Sequence, residues 1–400
     1  MSSAHPAAAI YPASTSSPDV SREPRHDLVP GRAHHRAWLD IDLAALRHNA
    51  AQLRARAGVP LLVMVKANSY GIGAEAVCRA LGAPFGDAGG PDAPWGLGIA
   101  SLDEASALRA AGCTARIVCC TPLLSGELAD AQALNVRPAL HRPEDIRAWQ
   151  AIGGGAWHLS IDTGMARAGV RWDAVDSLVD VVREVPPEGV FTHFHSADES
   201  LASREVQDAR FDAALHALRT VRPAQWLEHR DNSGGIVSRR DRSPGQLARP
   251  GIALYAGLFA EALGLRQVVH LRARIVDCRD VHAGESVSYG ATWLAPTSRR
   301  IATLSAGYAD GYRRHLSNAG QVLVHGVRCP VVGRVTMDMT MIDVTDVPAQ
   351  VGDIATLIGR DGDSELSTEF VATLGGVSPY ELLVGLPLRV PAVYHDQTAT

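Results

Sequence analysis

The run Val63-Met64-Val65-Lys66-Ala67-Asn68-Ser69-Tyr70-Gly71-Ile72-Gly73 constrains this chain more than any other. Pro60 to Val65 is almost wholly apolar, the pattern of a short strand buried on both faces, and a lysine closes it. Such a lysine has two readings. It can snorkel to water on its long stem, or apolar walls can strip part of its ammonium hydration, lower its pKa and make it a nucleophile or base. Asn68 and Ser69 favour a turn, Tyr70 offers a hydroxyl, and Gly71 and Gly73 let backbone approach a ligand closely. Lys66 alone does not choose between the two readings, so the rest of the chain has to.

At 400 residues, 46% hydrophobic and 20% charged, the chain is long enough for one large domain and a smaller one. A net charge of -5 without a long basic run argues against nucleic acid as a partner. The six cysteines have no metal-type spacing and are too sparse for a disulfide scaffold, so no metal is expected and the thiols read as reduced, in a cytoplasmic protein. No apolar stretch nears the ~18 residues that span a bilayer, so no membrane partner is expected. Residues 1–35, rich in Ala, Pro, Ser, His and Arg, read as a disordered tail. Ala7 to Tyr11 is too short for the apolar run of at least ~7 residues in a signal peptide.

Order is expected from the strand Ala37 to Ile41 and the helix that Asp42 caps, with Leu43, Leu46, Ala50 and Leu53 on one face. Strand candidates then alternate with helical patterns: Leu61 to Val65, Trp95 to Ala100, Arg116 to Cys120, Arg137 to Leu140, Trp157 to Ile161, Gly189 to Phe194, Gln225 to Glu228 and Leu247 to Leu254. The helical patterns include Leu102 to Ala111, Pro143 to Ile152, Trp172 to Val182 and Arg204 to Val221. Eight parallel strands separated by helices predict an α/β TIM (β/α)8 barrel over residues 36–267. An open doubly wound sheet is the alternative, but the G-x-G-x-x-G turn it often carries is missing. From Val268, short runs rich in Val, Ile and Thr between Gly, Asp and Pro turns predict a mostly β domain over residues 268–400.

In a TIM barrel the chemistry gathers where strands end. Lys66 ends the first barrel strand, Asp162 to Arg167 follow the Trp157 strand, and His193 ends the Gly189 strand. Asn232-Ser233-Gly234-Gly235 follows the seventh strand and Arg249-Pro250-Gly251-Ile252 falls near the eighth, where this fold often cradles a phosphate. Singly, each has a plainer explanation: His193 as a satisfied core histidine, Arg249 and Arg167 as surface charges, Asn232 as a helix cap, Tyr289 as a strand aromatic. Together on one face, a lysine, a histidine, two arginines and a phosphate cradle are the parts of a pyridoxal 5'-phosphate site.

From Trp38 to Tyr394 the chain resembles the alanine racemases, fold-type III pyridoxal-phosphate enzymes. Lys66-Ala67-Asn68-Ser69-Tyr70-Gly71 is similar to their cofactor-lysine motif, and Thr192-His193-Phe194, Asn232-Ser233 and Arg249 to Tyr255 to their barrel motifs. Val287 to Ala291, Gly307 to Gly311, Gly333 to Asp338 and Tyr380-Glu381 resemble the signatures of their β-domain. The resemblance implies an isomerase in which Lys66 holds the cofactor as a Schiff base and serves as one catalytic base. Tyr289 of a second copy would be the other, in a homodimer with shared active sites. It implies that Tyr70, Ser233, Gly251, Ile252 and Tyr380 bind the phosphate, with Asn232 beside them, and that Arg249 faces the pyridine nitrogen. His193 would link Arg249 to Tyr289. Arg167 and the Met337 amide would hold the substrate carboxylate, and Tyr308, Arg314 and Arg334 would line the entrance.

Four positions depart from the family pattern: Ser160 where a carbamylated lysine often steadies the arginine, Ile72 where histidine is usual, Thr336 where cysteine is common and Ala392 where arginine is common. The alternatives are a racemase of serine or a broader range of amino acids, a decarboxylase or aldolase on the same scaffold, and a non-catalytic cofactor carrier. Tyr289 in its Val-Ser-Tyr-Gly context speaks against the last two.

Overall fold

The structure is a computed structural model and describes residues 35–221, 226–238, 246–386 and 389–396. The tail expected over residues 1–35 lies, except for His35, outside the described residues.

Strand β1 (Ala37–Asp42) runs directly into the helix Leu43–Ala57, and Asp42 caps it, its Oδ1 accepting from the Ala45 amide at 2.7 Å. Leu46, Ala50 and Leu53 are buried at helical spacing, and Gly58 ends the helix at φ 64°, a conformation that strains a side chain. Next come β2 (Leu62–Met64), β3 (Gly96–Ile99), β4 (Ile117–Cys119), β5 (Val136–Leu140), β6 (His158–Asp162), the short β7 (Val170–Arg171) beside β6, β8 (Gly189–Phe191) and β9 (Leu227–His229). They pair in parallel in the order β2-β3-β4-β5-β6-β8-β9, with helices such as Leu102–Ala110, Pro143–Ala151 and Leu201–Val221 between them. Ala248 bridges in parallel both to Asp231, beyond β9, and to Leu61, ahead of β2. The two edges of the sheet therefore meet on one residue, and the domain is barrel-like.

Several expected strands came out shorter, Gly189 to Phe194 as Gly189–Phe191, and two elements changed more. Leu247 to Leu254 contributes this bridge and no full strand, because Pro250 has no amide to donate and Leu254, Tyr255 and Ala256 bond back to Gly251, Ile252 and Ala253 in successive tight turns. The helix predicted from Trp172 begins as a 3-10 turn at Val175–Leu178 and becomes α-helical only over Val179–Glu184.

The second domain holds β10 (Val269–Val281), β11 (Ser286–Val287), β12 (Trp293–Leu294), β13 (Arg299–Leu304), β14 (Gln321–Val324), β15 (Val327–Pro330), β16 (Thr340–Asp343), β17 (Ile354–Asp361), β18 (Ser364–Leu366) and β19 (Ala392–His395). Its main path is β15-β14-β17-β10-β1-β19, with β13 on β10 and β16 on β13. A shift in register between Ile275 and Asp277 accompanies the change of β10's partner from β17 to β13.

Strand β1, read from sequence as the start of the barrel domain, lies in this sheet. Leu39 faces Leu271 of β10 antiparallel and Ala392 of β19 in parallel. The buried Asp40 explains the choice: it accepts from His395 at 2.8 Å and pairs with Arg272 at 3.3 Å, partners that only these two strands supply.

One apolar core joins the domains, running from Leu39 through Val63 and Ile252 to Leu383. A small separate cluster of Val281, Val287, Ala295, Ile301 and Val332 underlies the loop that carries Tyr289. The helices Thr368–Gly375 and Pro379–Val384 make the second domain mostly, not wholly, β. All six cysteines are free. Among the described residues no helix is long and apolar enough to cross a membrane, and no cluster of His, Cys, Asp or Glu is placed to hold a metal ion.

Candidate active site

Where the strands end, a cavity of about 350 Å³ opens. Lys66, Tyr70, Arg167, His193, Asn232, Ser233, Arg249, Gly251, Ile252 and Tyr380 line it. Tyr380 reaches it from the second domain, on the helix that Ser378 caps.

Lys66 follows β2 and leads into a left-handed turn. Ala67, Asn68 and Ser69 have φ of 52°, 53° and 53°, and Tyr70 has φ of 56°. Left-handed backbone costs roughly 1–2 kcal/mol per residue for L-amino acids, so the turn must be held from outside. Ser69 N donates to Val65 O at 2.7 Å, Gly73 N to Asn68 O at 3.0 Å, and the Asn68 side chain accepts from Ala74 N at 2.7 Å. Glu104, in the first turn of the Leu102–Ala110 helix, accepts from Ala67 N at 2.5 Å and from Ala100 N at 2.8 Å. It clamps the residue after the lysine, a role that sequence reading missed although Ser101-x-x-Glu104 is a capping pattern.

Of the two readings of Lys66, the chain by itself shows the one that reaches water. Val65 before it is buried, but Lys66 is exposed at the mouth of the cavity in this chain. The reason lies in the backbone: the left-handed turn swings the chain out of the sheet at that residue.

Opposite Lys66 is a cup. Asn232 caps the helix Ser233–Ser238, its Oδ1 accepting from Gly235 N at 2.9 Å. Ser233 Oγ accepts from Gly251 N at 3.1 Å and Ala253 N at 3.3 Å. Gly251 lies hard against the Tyr70 hydroxyl, and a Cβ there would sit 2.3 Å from that oxygen. The Tyr70 ring packs tilted, at 37° and 4.8 Å between centroids, against Tyr255, whose hydroxyl donates to Met64 O at 2.9 Å. Burial first, then the field of Tyr380, pushes the Tyr70 phenol above its ordinary range, so it stays a neutral donor. A helix N-terminus, a fixed phenol and a bare glycine backbone in one place suit a phosphate-sized anion.

Arg249 forms the floor, 4% exposed. It donates to the His229 ring at 3.0 Å and also to the His229 carbonyl, to Thr192 O at 2.6 Å and to Arg230 O at 3.4 Å. The ring nitrogen that Arg249 contacts belongs to His229, and the Arg249 charge also acts on His193. His193 lines the cavity, and its carbonyl accepts from Gln207 at 3.2 Å. Burial, then the charges of Arg249, Arg167 and Lys66, hold its imidazole down at about 3, neutral at physiological pH.

Tyr289 and Met337 do not reach the cavity of their own chain. Tyr289 is 72% exposed and Met337 52% exposed. Tyr289 sits in a strained loop: Ser288 has φ 69° and Ala291 φ 47°, and Ser288 Oγ donates to Arg334 O at 2.7 Å. The Met337 carbonyl accepts from Ala309 N and the Thr336 carbonyl from Tyr308 N, both at 3.0 Å. Tyr289, Tyr308, Arg334 and Met337 therefore belong to adjoining loops of the β-domain.

Comparison with known proteins decides the family. Residues 41–258 match the alanine racemase N-terminal domain and residues 268–394 its C-terminal domain. The chain belongs to the alanine racemase family.

Membership places it among the isomerases. It is 38% identical to the alanine racemase of Deinococcus deserti over 365 residues, 90% of this chain and 98% of that protein. With the alanine racemase of Syntrophobacter fumaroxidans it shares 36% identity over 91% of this chain and 98% of that one. Among solved structures, alanine racemase from Streptomyces lavendulae superposes with a TM-score of 0.81 at 32% identity, covering 90% of this chain and 97% of the other. The enzyme from Bartonella henselae, solved with covalently bound pyridoxal phosphate, superposes with a TM-score of 0.79 at 27% identity, covering 90% and 100%.

Proposed function

We propose that this chain interconverts L-alanine and D-alanine with pyridoxal 5'-phosphate bound in the cavity, as a cytoplasmic homodimer whose second copy completes each site with Tyr289 and Met337. The observation that carries this is a division of parts: Lys66 and the anion cup share one cavity, while Tyr289 stands 72% exposed on another domain. A solvent-exposed phenol on a strained loop over its own apolar cluster is a group presented outward. The parallel strands and the Ala248 bridges support reading the first domain as a closed (β/α)8 barrel, with Lys66 and Arg249 at its C-terminal face.

Tyr70, Ser233, Gly251, Ile252 and Tyr380 would hold the phosphate and Lys66 the aldehyde carbon. The bound cofactor supplies an electron-withdrawing system that acidifies the α-C–H of the substrate. Every other step belongs to the protein. The Lys66 amine exchanges the α-proton on one face and the Tyr289 phenol on the other, so a proton lost from one side returns from the opposite side. Arg249, a permanent cation, would disfavour protonation of the ring nitrogen and so restrain side reactions. The Arg167 fork and the Met337 amide hold the carboxylate.

The test follows solvent deuterium into Cα of L-alanine, D-alanine and L-serine by NMR, with Lys66→Ala and Tyr289→Phe beside the parent. Both variants should lose most turnover. Unimpaired exchange in both directions by Tyr289→Phe would overturn the two-base assignment, and faster exchange of serine would shift the substrate.

A further inference from the structure

Behind Arg249 a polar chain runs through the interior of the strands, where branched aliphatic residues are the rule. Arg249 contacts His229 Nδ1 at 3.0 Å, His229 Nε2 lies 2.8 Å from His158 Nδ1, and His158 Nε2 lies 3.3 Å from Glu188 Oε2. Arg137 closes the chain, Nε donating to the same Glu188 oxygen at 2.6 Å. Both imidazoles are fully buried.

The contacts admit one arrangement of protons. A guanidinium can only donate, so His229 Nδ1 accepts and its proton sits on Nε2. That proton goes to His158 Nδ1, which leaves the His158 proton on Nε2, aimed at the carboxylate. Every ring nitrogen is used, and the three bonds from Arg249 to Glu188 run the same way, with Arg137 donating to the carboxylate from its other side. Space for the middle contact comes from Gly189, where a Cβ would lie 2.6 Å from His158 Nδ1. The ring of Phe191 stacks on His229 at 4.8 Å, and the Arg249 guanidinium stands 5.4 Å over the same ring.

A buried cation needs an answering charge. The acceptors around Arg249 are carbonyls and an imidazole, all neutral, with Asp231 adding attraction through space. We propose that Glu188 is a positioning residue for Arg249, acting through His158 and His229 to hold the guanidinium in one orientation. This rests on the reading of Arg249 as the residue that faces the cofactor ring. In line with it, burial and the neighbouring cation keep His229 neutral, and hydrogen bonds from His158 and Arg137 outweigh burial to bring the Glu188 carboxyl down to about 2.

The experiment uses holoenzyme labelled with 15N-histidine, as parent, Glu188→Gln, His158→Phe and the double variant. In the parent, both rings should carry their proton on Nε2 across the neutral pH range. Glu188→Gln should shift the Nε2–H resonances of His158 and, one hydrogen bond further along the chain, of His229. It should also lower kcat about tenfold, the scale of one hydrogen bond to a charged group, with KM for alanine unchanged. Once His158→Phe has broken the link, adding Glu188→Gln should lower kcat no further. If His158→Phe does not fold, His158→Gln takes its place. A proton on His229 Nδ1, or additive effects of the two substitutions, would overturn the relay. If the parent fails to racemise alanine, the proposed function falls, and the response of the His229 resonance to Glu188→Gln still decides the relay.

Discussion

A methyl group added to Gly251 would lie 2.3 Å from the Tyr70 hydroxyl, so the glycine and the phenol fit only as a pair. Both flank the amides that Ser233 Oγ accepts from. Gly251→Ala should displace one side of the cup and raise the dissociation constant for pyridoxal phosphate about tenfold or more, because at least one donor to the phosphate is lost. Absorbance titration of the apoprotein measures this, and parental affinity would remove the cup from the phosphate site.

Sharing of sites between copies has a sharp consequence. Lys66→Ala and Tyr289→Phe homodimers should each be nearly inactive. Mixed under conditions that exchange subunits, half of the dimers become hybrids with one site free of both lesions, so about a quarter of parental activity should return. No recovery despite proven exchange would mean that Lys66 and Tyr289 do not meet across a dimer.

Arg167 leaves a tight turn in which Asp162 Oδ1 accepts from Gly164 N at 2.9 Å and Ala166 N at 3.1 Å. Its side chain is exposed, and the nearby cavity wall carries Ser160, which is buried and uncharged. Arg167→Lys should raise KM for alanine about tenfold while changing kcat less, since an ammonium cannot grip a carboxylate with a planar fork. A small anion lodged between Ser160 and Arg167 would steady the arginine. KM should therefore differ between chloride and a bulky anion at equal ionic strength, and identical kinetics in both would sink that idea.

Acid should unfold the protein early. Burial lowers His158, His229 and His270 from the usual histidine value of 6.5, His270 to about 4. Below 6.5 the unfolded chain binds protons that the folded chain refuses. The stability these groups contribute is therefore complete above that pH and is lost as pH falls, by about 1.4 kcal/mol per pH unit for each histidine. Glu188, depressed from 4.5 to about 2, adds to the loss once pH passes below 4.5. Urea midpoints should be flat above neutrality and fall steeply from pH 6.5 downward. A flat profile down to pH 5 would contradict the neutral buried histidines.

What could be read in advance depended on period and on motif. The apolar runs that became β2 to β6, β8 and β9 were visible because a strand buried on both faces is written almost entirely in apolar side chains, whereas the two-residue β7 was not. Lys66, Arg249 and the Asn232-Ser233 pair could be expected at one site because each lies at or near the end of such a run. The partner of β1 could not be read, since Asp40 meets Arg272 and His395 across more than 200 residues.

The sequence by itself determined the alternation of elements, the two-domain order and the residue types of the site, because these follow from local composition and spacing. Tertiary structure alone decided that His229 meets Arg249, that Lys66 stands exposed at a left-handed turn, and that Tyr289 stands outside the cavity of its own chain. These depend on how strands pair in register and on where the backbone leaves the sheet. Such relations arise between segments far apart in the chain, and neither segment carries them alone.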